Sequence, residues 1–208
     1  GYVTPRDVLM VVSYLNEHHP QTSSLETGSV LDLDLEGELT EPLSNIDATA
    51  TLPLRDRPQF LVNTTTRDDQ EHASVAIHET GYVIVWSSDD QDGSDWAIMG
   101  QRFDPQGKKI GPEFRVNAYT RRAQLHPAVS AQPDGRFIVT WQTLNQDGSG
   151  WGVYARIFEP DGTPSTGDIR INQTTSGTQT QPVVAYLADG GFAVAWEGKG
   201  TFDPNRDD

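Results

Sequence analysis

The sequence predicts a mainly β protein built from repeated four-stranded antiparallel units. The evidence for this prediction is the constant spacing of recurring motifs. Trp86, Trp141 and Trp196 follow one another at equal intervals, and each ends a run of apolar residues. The segment QDGS at 91–94 returns after the same interval at 146–149. A fixed period near 50 residues indicates a repeat architecture.

Each repeat divides into short strands separated by turn signals such as Asp134-Gly135 and Asp161-Gly162. Asp-Gly pairs favour tight turns because both residues tolerate a positive φ. The predicted strands cover residues 72–78, 81–87, 96–103 and 113–119 in the first repeat and 127–132, 136–142, 151–158 and 168–173 in the second. Residues 59–66 match the fourth strand of a preceding unit, and a third unit begins at residue 191.

The second strand of each unit is apolar on both faces. In the first unit, Tyr82, Ile84 and Trp86 share one face, while Val83 and Val85 share the other. A strand that is apolar on both faces must be covered on both sides. Sheets stacked face to face in this way are the blades of a β-propeller, which radiate from a central axis.

Residues 59–208 resemble a tandem repeat of large bacterial surface and secreted proteins. The resemblance rests on the order of the motifs, with VNTTT at 62–66 followed by the apolar run to Trp86 and by QDGS at 91–94. It implies the repeat fold and an extracellular or cell-surface location, and it implies little about activity.

Residues 1–16 are predicted to form half of a calcium loop followed by a helix. Apolar residues after position 7 follow the spacing of an amphipathic helix. Gly1, Val3 and Asp7 fit positions 6, 8 and 12 of a 12-residue calcium loop, where position 12 is a bidentate carboxylate. The segment resembles the dockerin family, which has paired EF-hand-like loops, and this implies a Ca²⁺ ligand at Asp7.

A second loop of this kind begins at Asp32. Asp32, Asp34 and Glu36 take positions 1, 3 and 5, but position 12 is Leu43 instead of a carboxylate. The alternative is an acidic linker in which Gly37 makes a turn. We therefore predict a dockerin-like helical segment at 1–45 with degenerate calcium loops, a linker at 46–58 and blades at 59–208.

The dockerin resemblance implies a cohesin-like protein partner. Dockerins contact cohesin through loop positions 10 and 11, which here are Pro5 and Arg6, then Glu41 and Pro42. Neither pair has the small hydroxyl residues common at those positions. A glycan is the other predicted partner.

Charge and composition exclude several classes of protein. The chain has 15 basic and 30 acidic residues, and this balance argues against binding to nucleic acid or to an anionic membrane surface. It has no cysteine, so disulfides and thiol chemistry are absent. No apolar stretch approaches the roughly 20 residues that a membrane span requires.

The loops between second and third strands are candidate sites. The first is rich in acids, and Asp90 and Asp92 are predicted Ca²⁺ ligands because calcium prefers several oxygen ligands. The equivalent loop of the next unit carries Asp147 as a predicted ligand-binding residue. The alternative is that Asp-Gly pairs make tight turns and that the acids are solvated.

Trp96 and Trp151 open the third strands and could stack on a sugar ring. An aromatic residue at a strand entry is more often a packing residue, so both interpretations stay open. Trp86, Trp141 and Trp196 are assigned to the core. His72 and His126 occupy equivalent repeat positions with Gln181 third, which favours hydrogen bonding at a strand start over metal ligation or catalysis.

The favoured functional prediction is a non-enzymatic extracellular module for adhesion or protein assembly, which calcium could stabilise. One alternative is a fragment of a carbohydrate-active propeller enzyme, which would need acids or histidines at the propeller axis that break the repeat symmetry. The other is a structural protein in which several copies complete a propeller, which predicts a homo-oligomer if the chain is complete as given.

Overall fold

A computed structural model describes residues 59–187 and 190–199, together with the backbone of Leu9 and Met10. Its strands are β1 (Leu9–Met10), β2 (Phe60–Leu61), β3 (Gln70–His78), β4 (Gly81–Asp89), β5 (Trp96–Phe103), β6 (Lys109–Arg115), β7 (Gln124–Ala131), β8 (Phe137–Leu144), β9 (Trp151–Phe158), β10 (Ile169–Arg170), β11 (Thr178–Tyr186) and β12 (Phe192–Lys199). The described residues contain no helix, which confirms the mainly β class for that part of the chain.

Strands from β3 onward form three antiparallel sheets, in which neighbours in sequence are neighbours in space. The first sheet has the order β3-β4-β5-β6, the second β7-β8-β9-β10, and the third pairs β11 with β12. We call these sheets blade 1, blade 2 and blade 3. The predicted four-stranded repeat is therefore confirmed for two units, and two strands of a third unit are described.

Blades 1 and 2 pack face to face through the residues that the alternating pattern identified. Val83 and Val85 of β4 share one buried cluster with Phe137, Val139 and Trp141 of β8. Small aliphatic side chains of blade 1 thus contact larger, mostly aromatic side chains of blade 2. Burial of this apolar surface is the main stabilising contribution between blades.

The first strands of the three blades lie side by side. β3 contacts β7, and β7 contacts β11. Side-chain hydroxyls join them, since Val129 N donates to Ser74 Oγ at 3.3 Å and Tyr186 N donates to Ser130 Oγ at 3.0 Å. This arrangement, with adjacent first strands and stacked sheets, is that of blades in a β-propeller.

The fourth strands end earlier than the sequence predicted. β6 covers Lys109–Arg115, whereas the prediction was 113–119, and β10 covers only Ile169–Arg170. The reason is local. Asn117 and Asn172 are buried, and their side chains bond to backbone groups of the neighbouring third strand, so the chain leaves the strand at these residues.

Two further predictions are corrected. Trp196 was assigned to the core, but it is 39% exposed, whereas Trp86 and Trp141 are fully buried. Among the described residues, blade 3 has no third strand beside β12, whereas Tyr154 of β9 pairs with Trp141 in blade 2. The predicted helix over the first residues is wrong at Leu9–Met10, which form a strand beside β-branched valines that favour extended backbone.

Candidate functional site

The first strand of each blade contains a bulge at an equivalent position. Its central residue is His72 in β3, His126 in β7 and Gln181 in β11, with φ values of 57°, 53° and 52°. The pairing register with the second strand shifts at each of these points. Bulges re-aim side chains and occur often beside active sites.

Proline explains two of these bulges. Pro127 follows His126, and Pro182 follows Gln181. Proline cannot donate a backbone hydrogen bond, so within a sheet it is confined to edges and bulges. The sequence predicts a second-repeat strand from residue 127 with His126 at its start, but β7 begins at Gln124. The His-Pro and Gln-Pro pairs were the signal for the bulges.

The two histidines touch across the boundary between blades 1 and 2. Their ring centroids are 3.8 Å apart with the planes tilted by 46°. Burial lowers the pKa of His126, the adjacent His72 lowers it further, and Glu71 opposes the shift. Glu71 Oε2 lies 4.0 Å from Nδ1 of His72. The His126 imidazole is therefore held in its neutral form more strongly than a free histidine.

Gln181 continues the row on blade 3 and is held by side chains of two blades. Its backbone N–H donates to Oε1 of Gln142 at 3.0 Å. Its side-chain amide Nε2 donates to Oε2 of Glu197 at 3.5 Å. Gln142 is buried, whereas Gln181 and Glu197 are exposed and can reach a ligand.

We call Glu71, His72, His126, Gln181 and Glu197 the polar row. Its composition is not symmetrical, because the acids sit at positions that are not equivalent in the repeat. The residue before the bulge is Glu71, Leu125 and Thr180 in blades 1, 2 and 3, and the residue that faces it on the second strand is Ser87, Gln142 and Glu197. The sequence predicted that the same residue types recur at equivalent positions, and the polar row departs from that symmetry.

An acidic cluster flanks the polar row on blade 1. We give this name to Asp68, Asp69, Asp89, Asp90 and Asp95. The pKa of Asp89 is raised, first by its burial and then by the other four carboxylates. Arg67 pairs with Asp68 at 3.0 Å and with Asp90 at 3.3 Å.

Two acids predicted to bind ligands have a structural role in the loops. Asp92 Oδ1 accepts the N–H of Ser94 at 3.2 Å, and Asp147 Oδ1 accepts that of Ser149 at 3.1 Å. Their second oxygens accept amide hydrogens from Asn117 and Asn172 at 3.5 and 3.1 Å. Both carboxylates thus close a turn and join it to the scaffold.

The calcium predictions remain predictions. Among the residues that the structure describes, no group of three or more histidines and acids is arranged to hold a metal ion. Asp90 pairs with Arg67 instead. The predicted ligands Asp7, Asp32, Asp34 and Glu36 lie outside the described residues, and so do the linker and the dockerin-like segment apart from Leu9–Met10.

The two candidate stacking tryptophans are half-buried at the entries of β5 and β9. Trp96 lies opposite Asp89, and Trp151 lies opposite Leu144. Trp96 is therefore next to the acidic cluster, and neither residue belongs to the polar row. In the described part of the chain, no helix is long and apolar enough to cross a membrane.

No family model matches the chain, and no curated protein matches it significantly. Solved structures give distant matches. An endo-arabinase from Bacteroides thetaiotaomicron VPI-5482 is 14% identical over 72% of this chain and 58% of its own, with a TM-score of 0.43. An α-L-arabinofuranosidase from Lactobacillus brevis is 14% identical over 74% of this chain and 55% of its own, with a TM-score of 0.43.

A thermostable family-43 glycoside hydrolase is 12% identical over 62% of this chain and 49% of its own, with a TM-score of 0.41. The chain thus spans about half the length of the structures it matches. All three are named as enzymes, and this finding contradicts the sequence-based prediction that the chain is not an enzyme.

Proposed function

We propose that the chain is part of a carbohydrate-active β-propeller and that the polar row contacts the sugar. The observation that carries this proposal is the alignment of three bulges on adjacent first strands. They present His72, His126 and Gln181 together, with a glutamate at each end of the row.

These side chains have the chemistry that sugar hydroxyls require. A hydroxyl both donates and accepts, so its site needs both kinds of group at fixed positions. Neutral imidazole provides one donor and one acceptor, the Gln181 amide provides both, and ionised carboxylates accept only. The lowered pKa of His126 keeps its imidazole neutral and therefore able to do both.

The two glutamates are the carboxyl groups of the polar row, and carboxyl groups are what glycosidic bond cleavage requires. Such cleavage generally uses two carboxyl groups on either side of the bond, one as an acid and the other as a base or nucleophile. Glu71 belongs to blade 1 and Glu197 to blade 3. We assign them as the carboxyl pair, with His72, His126 and Gln181 between them to orient the sugar.

The backbone strengthens this assignment. Non-glycine residues with positive φ carry a conformational cost, and they persist where the surrounding structure fixes them, often at functional sites. Here all three bulge residues keep that conformation. Because the backbone is fixed before a ligand binds, the polar row would lose little conformational entropy on binding.

The proposal is tested with the whole chain. Binding of a panel of neutral oligosaccharides is measured by calorimetry, and release of reducing ends is measured over the same panel. We expect at least one ligand, and we expect Glu71→Gln and Glu197→Gln to reduce turnover by 100-fold or more.

Glu79→Gln is the matched control, because Glu79 is exposed in the turn at the other end of β3. It should leave binding and turnover unchanged. Absence of both binding and turnover over the whole panel would overturn the proposal, and so would turnover that survives both glutamate substitutions.

A further inference from the structure

We infer that a cleft between blades 2 and 3 is a second site for neutral sugars, apart from the polar row. The cleft lies between the turn after β7, at residues 132–136, and the hairpin end that contains Tyr186, Leu187 and Gly190. We call it the hairpin cleft. Its volume of about 550 Å³ falls in the range of roughly 300–1,000 Å³ that is usual for small-molecule sites. The inference does not depend on what the polar row binds.

The hairpin cleft is at the opposite end of the first strands from the polar row. On β7 the row includes His126 near the strand start, and the cleft includes Ala131 at the strand end. The corresponding residues of β11 are Gln181 and Tyr186. The separation along an extended strand is about 15 Å. A sugar in the cleft therefore contacts side chains that the polar row does not use.

The aromatic residue of the hairpin cleft is not part of the repeated pattern. Tyr186 pairs with Phe192 in blade 3, and Ala131 pairs with Phe137 in the same way in blade 2. The fold thus accepts alanine where the cleft has a tyrosine. The ring of Tyr186 is supported by that of Phe192, since their centroids are 6.5 Å apart with the planes at 86°. An aromatic side chain of this kind offers an apolar body to the C–H groups of a sugar and a hydroxyl to its polar groups.

Arg136 is held in place by Asp134 and keeps donors for a ligand. Asp134 Oδ1 accepts the backbone N–H of Arg136 at 3.0 Å, and Oδ2 accepts the Nε–H of its guanidinium at 2.8 Å. The side chain of Arg136 makes no other hydrogen bond within the described part of the chain, so its two terminal amino groups are free to donate. Blade 1 has Gly81 at the equivalent position, and the repeat therefore does not require a guanidinium there.

The charges of the hairpin cleft favour a neutral ligand. The hydrogen bond to Asp134 raises the pKa of Arg136, and the nearby Glu159 adds to this effect. One cation beside two acids leaves no net positive charge for an anionic ligand. A cationic ligand would in turn approach the guanidinium. A neutral ligand with many hydroxyls avoids both repulsions.

The polar groups of the cleft can bind neighbouring hydroxyls of one sugar. Arg136 donates, the carboxylate of Asp134 accepts, and the protonated Tyr186 hydroxyl does both. Burial raises the pKa of Tyr186, although Arg136 lowers it, so the hydroxyl keeps its proton at neutral pH. Gln132 Nε2 donates to the carbonyl oxygen of Gly190 at 3.4 Å and joins the two turns.

Apolar side chains complete the cleft. Leu187 belongs to the turn of blade 3 and is 48% exposed, and Pro133 belongs to the turn of blade 2. A sugar ring carries C–H groups as well as hydroxyls, and covering an exposed leucine with them removes apolar surface from water. The cleft thus combines one aromatic ring, two aliphatic side chains and paired hydrogen-bonding groups.

The test titrates the whole chain with neutral trisaccharides of glucose, xylose, mannose or galactose and follows the NMR resonances of its backbone amides. We expect at least one trisaccharide to shift the amides of Gln132, Arg136 and Leu187 in a saturable way. Tyr186→Ala introduces the residue that blade 2 carries and should weaken this binding about ten-fold. Arg136→Gln should also weaken it about ten-fold, because it removes charged donors.

Arg136 is exposed, so Arg136→Gln tests the inference even if loss of the Tyr186 ring destabilises blade 3. Tyr119→Ala and Arg170→Gln remove a half-buried tyrosine and an exposed arginine outside both sites, and they should leave the affinity of the cleft unchanged. A chain with Glu71→Gln and Glu197→Gln in the polar row should keep the shifts at the cleft.

Absence of shifts at the cleft amides with all four trisaccharides would overturn this inference, and so would unchanged affinity in Arg136→Gln. Shifts confined to amides beside His72, His126 and Gln181 would overturn it and support the proposed function. Shifts confined to the cleft that Arg136→Gln weakens would support this inference and count against the polar row as the sugar site.

Discussion

The side-chain oxygen of Asn117 accepts the backbone N–H of Ile98 at 2.8 Å, and Asn172 does the same for Val153 at the same distance one repeat later. The amide nitrogen of Asn117 donates to Tyr119 O at 2.8 Å and to Gln124 Oε1 at 3.0 Å. One buried side chain thus joins the third strand of one blade to the first strand of the next.

Replacing Asn117 with alanine should therefore lower the free energy of unfolding. The substitution leaves the Ile98 N–H and the Gln124 amide oxygen without this partner in a buried place, and each such loss costs about 1–3 kcal/mol. Urea unfolding of wild type and variant measures the difference. Gln173→Ala, at an exposed position after Asn172, is the control and should change stability by less than about 0.5 kcal/mol. Equal midpoints for Asn117→Ala and wild type would contradict the prediction.

Asp168 connects blade 2 to the segment that leaves blade 1. Its carboxylate accepts the N–H of Ala118 at 3.1 Å and that of Tyr119 at 3.0 Å. Hydrogen bonds to an ionised group contribute about 1.5–3 kcal/mol, so Asp168→Asn should reduce thermal stability. Glu79→Gln removes the same charge from an exposed turn residue and serves as the control. A similar change of melting temperature in both variants would show that net charge, and not the connection between blades, determines the change in stability.

Histidine protonation should destabilise the chain at mildly acidic pH. Burial lowers the pKa of His126 and of His78 from the ordinary value of 6.5, so the unfolded chain binds more protons than the folded chain below that pH. Their contribution to stability is complete above about pH 6.5 and is lost as pH falls through the folded pKa values. Denaturant unfolding between pH 7.5 and 5 measures this slope.

His126→Gln introduces the residue found at the equivalent position of β11, where Gln181 adopts the same φ. The variant should fold and should show a shallower loss of stability with falling pH, while the His78 contribution remains. A slope identical to that of wild type would mean that the contact between His72 and His126 does not control this pH dependence.

Gly100 of β5 marks a close approach to a side chain of β6 inside blade 1. A Cβ at this position would lie 2.7 Å from Cζ of Phe114, which packs against Phe137 and Phe158 of blade 2. Gly100→Ala should force the ring to shift and cost about 1–3 kcal/mol, as expected for overpacking. Gly198→Ala in β12, where no atom lies within 4 Å of the added Cβ, should be nearly neutral. Calorimetric melting of both variants would decide, and equal melting temperatures would contradict the prediction.

The constant period of the tryptophans and the alternating apolar pattern determined the repeat and its strands without any structure. The reason is physical. A strand that is apolar on both faces has few ways to bury both, and Val83, Val85 and Trp141 are buried as the stacked-blade arrangement requires. Turn chemistry at Asp134-Gly135 fixed the hairpins in the same local way.

Only the tertiary structure decided which polar residues lie together. The acids that the sequence singled out, Asp92 and Asp147, bond within their own loops and to buried asparagines. His72 and His126 are distant in sequence, yet their rings meet at 3.8 Å because adjacent first strands place equivalent bulges side by side. The spacing of apolar residues along the chain predicts a strand and its two faces. Contact between strands of different blades depends on how the blades pack, and no local pattern predicts that packing.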